Sequence, residues 1–139
     1  MKIFIAGSMH FAKQMLETKR LIDNMGHEAL IPSDTEDCVK NPGLNMDFEH
    51  CVRTQIDKEC FDKIEESDAI LILNYPKNGI SGYVGGATLM EIGVARHLNK
   101  KIFFLHGLPR EEELRYALEI KLTQPIVLRG ELENLSEYM

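Results

Sequence analysis

Asp68-Ala69-Ile70-Leu71-Ile72-Leu73-Asn74, followed after a breaker-rich loop by Tyr83-Val84-Gly85-Gly86-Ala87-Thr88-Leu89-Met90-Glu91-Ile92-Gly93-Val94-Ala95-Arg96-His97-Leu98, reads as a strand feeding a helix. The first run is apolar without alternation, as expected of a strand buried on both faces at the centre of a parallel sheet. In the second, Gly85 and Gly86 let the backbone approach a ligand closely, and the helix start offers free N–H groups and a positive dipole end to an anion. At roughly 100° per residue, Ala87, Met90, Val94, Ala95 and Leu98 gather on one arc, with Leu89 and Ile92 outside it. Glu91 falls inside that arc, between Leu98 and Ala95. A carboxylate on an apolar stripe is costly to desolvate, so it calls for a partner or a chemical use. The plain alternative is a core helix whose one acid reaches solvent or pairs with an Arg.

Working outward, Lys2-Ile3-Phe4-Ile5-Ala6 is a first buried strand, followed by a turn at Gly7-Ser8-Met9-His10 and a helix over 11–24 that Gly26 stops. His27 to Pro32 forms a second strand, and Ser33 to Met46 a polar loop on the ligand side. A single helix, capped by Asp47, runs to about Ser67. The helix holding Glu91 ends near Asn99, Lys101 to Leu105 is a fourth strand, and Arg110 to Leu122 a fourth helix with acids in its first turn. Pro125 to Leu128 closes the strand set, and Glu131 to Tyr138 reads as a terminal helical turn. Strands alternating with helices imply parallel βαβ units with right-handed crossovers. The expectation is an α/β fold: one domain over 1–139, a doubly wound parallel five-stranded sheet of flavodoxin-like or Rossmann-like type, in order 2-1-3-4-5. Ligands in such sheets sit outside the carboxyl ends of the strands at the switch point. That edge carries Gly7 to Phe11, Asn74 to Gly86 and His106 to Pro109.

With 139 residues, 44% hydrophobic and 27% charged, the chain has an ordinary globular composition and enough length for a substantial core. A net charge of −6 argues against a nucleic-acid polymer as partner, although a nest of N–H groups can still hold a small anion. Cys38, Cys51 and Cys60 are odd in number and lack metal-type spacing, which points to a reducing, cytoplasmic compartment and no metal. No signal peptide and no membrane-length apolar run is evident.

The known cofactor fingerprints are missing. Phe11 and Ala12 stand where a dinucleotide fingerprint needs glycines, and no Gly-Lys-Ser or Gly-Lys-Thr occurs, so neither NAD nor ATP chemistry is expected and no cofactor is implied. Ser8 and His10 lack an orienting acid and a nucleophile elbow, which makes both better substrate contacts than a hydrolytic pair. Glu111, Glu112 and Glu113 read as a solvated first turn and His106 as structural. Asp57 is the member of the acidic helix placed to reach the site. A flavin-type electron carrier is disfavoured by the absence of Trp and of a sandwiching aromatic pair.

Ile5-Ala6-Gly7-Ser8, Ser67 to Asn74, and Gly85-Gly86…Glu91-Ile92-Gly93-Val94-Ala95…Asn99-Lys100-Lys101-Ile102 together resemble the nucleoside 2-deoxyribosyltransferase family, which includes the 2′-deoxynucleoside 5′-phosphate N-hydrolases. The resemblance implies that Glu91 is the nucleophile at C1′ of the sugar, and it fits a carboxylate's ability to trap an oxocarbenium-like centre. It also implies a second acid on the helix before the central strand. Ungapped alignment through Asp68 puts Cys60 at that place, with Asp57 one turn earlier on the same face. The phosphate-binding Ser expected near the start of the central helix is replaced by Gly85-Gly86-Ala87-Thr88. Gly-Gly…Thr-x-x-Glu is also similar to the nucleoside-monophosphate phosphoribohydrolases, at one residue shorter spacing. The expected substrate contacts are Gly7, Ser8, His10, Asn74, Tyr83, Gly85, Gly86 and Thr88, around catalytic Glu91 and Asp57. The implied assembly is a homodimer or higher homo-oligomer. The rival expectation is a nucleotide-sensing module of the same fold without turnover, favoured by Cys60 where an acid is expected.

Overall fold

The structure, a computed structural model, describes residues 1–138. Five parallel strands, β1 (Lys2–Ala6), β2 (Glu28–Leu30), β3 (Ala69–Ile72), β4 (Lys101–Phe104) and β5 (Ile126–Val127), form one sheet in the order β2-β1-β3-β4-β5. This is the expected order. β3 has partners on both sides, Ile3↔Ala69 toward β1 and Ala69↔Lys101 toward β4, and all four of its residues are buried. A strand in that position has no solvated face, which is why its sequence is uninterrupted apolar.

Of the helices α1 (Ala12–Asn24), α2 (Thr35–Lys40), α3 (Phe48–Thr54), α4 (Ile56–Glu65), α5 (Gly86–His97) and α6 (Ala117–Leu122), α1, α4, α5 and α6 cover the sheet, whereas α2 packs on α1 and α3 on α4. Strand residues alternate between two cores, as side chains on a pleated strand must. Phe4, Ile70, Ile72 and Phe104 meet Cys60 and Ile64 of α4, Ile92 and Ala95 of α5, and Ile120 of α6. Ile3, Ile5, Leu71 and Phe103 meet Met15 and Ile22 of α1 and Leu135 of the last 3-10 turn, Leu132–Tyr138. β1 and β3 lie side by side, and the chain leaves them toward opposite edges. The crevice between their carboxyl ends is the switch point where this architecture places ligands. Among the described residues no helix is long and apolar enough to cross a membrane.

Four local expectations change. The helix expected from Asp47 to Ser67 is two helices, because Gln55 adopts a left-handed conformation at φ 49° and redirects the chain between α3 and α4. Asp47 does cap α3, accepting from the His50 N–H at 3.1 Å. The expected loop 33–46 contains α2. The helix expected from Arg110 begins only at Ala117: Arg110 folds back on Glu112 at 2.9 Å and Glu113 at 3.5 Å in a turn, leaving Leu114 to plug the core. On α5 the core-facing residues are Thr88, Ile92 and Ala95, whereas Met90 is 53% exposed. Of the expected arc Ala87, Met90, Val94, Ala95 and Leu98, the structure buries Ala95 and packs Val94 on the core, but it leaves Met90 exposed and adds Ile92, which the arc excluded. The sheet takes the Ile92 side, and Glu91 lies on the flank turned toward α4.

Candidate active site

A cleft of about 350 Å³ opens at the carboxyl ends of β1 and β3. Its floor is Ala6, Gly7 and Ser8 after β1, one wall is Gly85 to Glu91 at the start of α5, and the other runs from Pro32 through α3 to Cys60 and Phe61 of α4. Gly7 has φ 153°, and a Cβ there would lie 2.9 Å from the Leu73 carbonyl oxygen. A side chain would collide with the neighbouring strand, so the turn after β1 demands glycine.

Gly85, extended, stands at the N-cap of α5, and no side chain caps the helix. The leading N–H groups of the helix thus have no intrahelical partner and face the cleft with the positive dipole end. Tyr116 donates its hydroxyl to the Val84 carbonyl at 2.6 Å and tethers the approach to this helix. Thr88 is buried yet reaches the cleft wall.

Glu91 sits one helical turn further in. Burial pushes its carboxyl up to about 7, and a hydrogen bond from the Cys60 thiol opposes that rise. The thiol itself is driven up by burial and then by the Glu91 charge, so it stays a neutral S–H donor. Cys60 thus stands beside Glu91, at the place where the family resemblance puts an acid. Asp57 lines the same cleft one turn earlier on α4 and is exposed.

Ser8 accepts from the His10 N–H at 3.3 Å and from Lys77 Nζ at 3.0 Å. The Lys77 ammonium also lies 5.3 Å from the centre of the Tyr83 ring, a cation–π contact. Lys77 is the one Lys or Arg among the described residues lining the cleft, against carboxylates at Asp34, Asp57 and Glu91. The sequence reading passed over it, although a signal was present. Asn78-Gly79 is the strongest two-residue hairpin signal, and here both residues have positive φ while Lys77 and Ile80 pair across them. That turn folds the loop back and delivers Lys77 to Ser8.

Two expected contacts lie elsewhere. His10 is exposed, stacked edge-on against Phe11 with ring centres 5.1 Å apart, and does not line the cleft. Asn74 is fully buried: its amide donates to the His106 and Gly107 carbonyls, each at 3.0 Å, and its oxygen accepts from the His106 N–H at 2.8 Å. It clamps the chain leaving β4 to that leaving β3, and its full burial keeps it out of the cleft. Gly7, Ser8, Tyr83, Gly85, Gly86, Thr88, Asp57 and Glu91 are all brought together. Asp34, Asn45 and Cys51 join them from segments whose sequence carries no site pattern. Among the described residues no His, Cys, Asp and Glu cluster could hold a metal ion.

The fold is similar to that of the CMP N-glycosidase BcmB of Clostridium botulinum, with a TM-score of 0.54, 23% identity and full coverage of both chains. It is likewise similar to a 2-deoxyribosyltransferase from Leishmania mexicana, with a TM-score of 0.53 and 23% identity over 81% of this chain and 69% of that one. At such identities the likeness establishes the fold. No family model matches the chain, and no curated protein matches it.

Proposed function

We propose that this protein is an enzyme that cleaves, or transfers at, the N-glycosidic bond of a (deoxy)nucleoside or its 5′-monophosphate, with Glu91 as nucleophile. The observation that carries the reading is a carboxylate desolvated to a pKa of about 7 on the wall of a ligand-sized cleft, one turn from a free helix N-terminus. Such a group is ionised often enough at neutral pH to attack, and poorly solvated enough to be reactive. Two enzymes with this fold act, by name, on glycosidic bonds of a nucleotide or on deoxyribosyl transfer.

In the proposed step a Glu91 oxygen bonds to C1′ while the C1′–N bond breaks and its electron pair leaves with the base. Asp57 or a water delivers the proton that the departing base takes up. Water, or the nitrogen of a second base, then attacks C1′ and releases Glu91. No electron changes hands, so no cofactor enters. A 5′-phosphate fits at the Gly85 to Thr88 N–H groups with Ser8 and Lys77 completing the cradle, and Gly7 and Tyr83 border the sugar. Cys60 beside Glu91 favours one other reading, a nucleotide-binding module without turnover.

The same reading includes a homodimer in the cytoplasm. Met46 at 85%, Phe48 at 80% and Val52 at 57% exposure form apolar surface on the segment bordering the cleft, suited to a second copy. Light scattering that finds only monomer removes the dimer. Incubation with ribo- and deoxyribonucleosides and their monophosphates, with and without an added free base, tests the chemistry by chromatography of the released base. The expected result is base release from at least one monophosphate. Calorimetric binding without release from any compound would establish the binding module instead.

A further inference from the structure

Asp34 follows β2 and belongs to the cleft wall that faces away from Lys77 in the sheet order, since β2 and β3 flank β1 on opposite sides. It is only 7% exposed. One carboxylate oxygen, Oδ2, accepts from His50 Nε2 of α3 at 3.1 Å, and the other, Oδ1, has no hydrogen-bond partner although it is shut off from solvent. Buried carboxylate oxygens are normally paired, and an orphan requires an explanation. Local structure supplies none. Asp34 stands at the N-cap position of α2, but its side chain makes no capping bond, and the helix is only six residues long. The thiols of Cys38 and Cys51 are close enough for the Asp34 charge to help raise them, yet Cys51 donates instead to the Asn45 carbonyl. Anchoring α3 through His50 uses one oxygen and leaves the second idle. The torsion that turns a carboxylate is soft and moves both oxygens together, so a small turn brings Oδ1 toward the cleft that Asp34 lines, with the His50 ring following Oδ2.

We propose that Asp34, oriented by His50, is the base-reading residue of this cleft and accepts a hydrogen bond from an exocyclic amino group, so that the favoured substrate carries a cytosine- or adenine-type base. The inference rests on the N-glycosidic reading above and adds to it the class of leaving base. With a phosphate at the Lys77 end and the sugar over Glu91, the base extends toward the wall after β2. A carboxylate there attracts N–H donors and repels a carbonyl oxygen, so an oxo base in the same pose loses a hydrogen bond and gains a repulsion. His50 is a positioning residue.

The experiment compares cytidine with uridine 5′-monophosphate, and adenosine with inosine 5′-monophosphate, both as base release by the wild-type protein and as calorimetric binding to Glu91→Gln protein. The expected preference for the amino base is about 10²-fold in at least one pair, because a site built around a hydrogen bond rejects the analogue lacking it. Asp34→Asn, whose amide can offer either a donor or an acceptor, is expected to shrink that preference to within about threefold. His50→Gln, which keeps a donor for Oδ2, retains it, and His50→Ala loses most of it. A wild-type ratio near one in both pairs overturns the proposal. So does an Asp34→Asn protein that binds or turns over every base more weakly by the same factor, the mark of a structural role. If Asp34→Asn fails to fold, the wild-type ratio and the His50 pair still decide. Absence of base release with an intact amino preference in binding sinks the chemistry while leaving the base reader standing.

Discussion

The two walls of the cleft hold their carboxylates in opposite ways. On the α5 wall, Glu91 is desolvated, rests against a neutral thiol and is raised to about 7. On the α4 wall, Asp57 projects from the first turn of its helix into solvent. Two acids of one cleft thus sit in opposite surroundings. The enclosed one suits bonding to carbon, and the hydrated one suits exchanging protons with a departing base or with water. Cys60 sharpens the contrast. An acid at that position would add a second negative charge beside Glu91 and drive its pKa higher still. The thiol instead donates a hydrogen bond, so under the proposed reading any proton transfer falls to a more distant group.

The largest expected effect is loss of the enclosed carboxylate. Glu91→Gln keeps the size and much of the hydrogen bonding, so base release is expected to fall by about 10³-fold or more while monophosphate binding persists. Turnover within about tenfold of wild type would make Glu91 structural and erase the contrast. The same substitution has a stability signature. Because the native pKa is raised from 4.5 to about 7, the native state holds a proton that the unfolded state loses between those values. Stability from this group is therefore lost as pH rises from about 4.5 to about 7, by about 3 kcal/mol in all. Glu91→Gln escapes that loss, so its stability advantage in urea unfolding is expected to appear above pH 4.5 and level off above about 7. Base release by wild type should climb through the same range as the nucleophile ionises. A flat profile would place Glu91 in contact with water.

Asp57→Asn probes the other wall. It is expected to cost about 10²-fold in base release, the usual yield of general acid–base help. A loss equal to that of Glu91→Gln would mean that the two acids act as one unit and are not divided by environment. Lys77→Met is expected to weaken monophosphate binding by about tenfold, less so at high salt, and to leave nucleoside binding unchanged. Equal affinities of wild type for nucleoside and monophosphate would remove the phosphate cradle from the α5 wall.

The walls also differ in how openly the sequence announces them. Asp68 to Asn74 and Gly85 to Glu91 are local patterns, an unbroken apolar run and a glycine-led helix, and local patterns survive reading along the chain. The opposite wall is assembled from Asp34, Cys51, Asp57 and Cys60, which approach only because α4 packs on β1 and α3 packs on α4. Asp34 and His50 lie sixteen residues apart, and neither their pairing nor the idle oxygen leaves a trace in composition or spacing. Asn74 errs the other way: an amide at a strand end suits a ligand contact, but tertiary structure buries it and turns both its N–H donors and its oxygen to the chain after β4. Met90 misled for a related reason. Helical periodicity finds an apolar arc but not how far round the sheet will reach, and here the buried face runs through Ala95 to Ile92, which the arc left out.

The smallest expected effect concerns the joint that lets the second wall form. From sequence, residues 47–67 suit one continuous helix, in which glycine at position 55 would cost about 1 kcal/mol relative to a good helix former. In the fold Gln55 has φ 49° and separates α3 from α4. A residue with a Cβ is penalised there by about 1 kcal/mol, and glycine is not, although glycine gives up more freedom on folding. The two terms nearly cancel, so Gln55→Gly is expected to leave stability within about 0.5 kcal/mol of wild type, or to raise it slightly. Base release should be retained, since the joint keeps its direction. Gln55→Ala then serves as the opposing arm: it helps a continuous helix and strains this one. Chemical denaturation of the two variants reads the sign. Alanine more stable than glycine by about 1 kcal/mol would restore the continuous helix and remove Asp34 and Cys51 from the cleft.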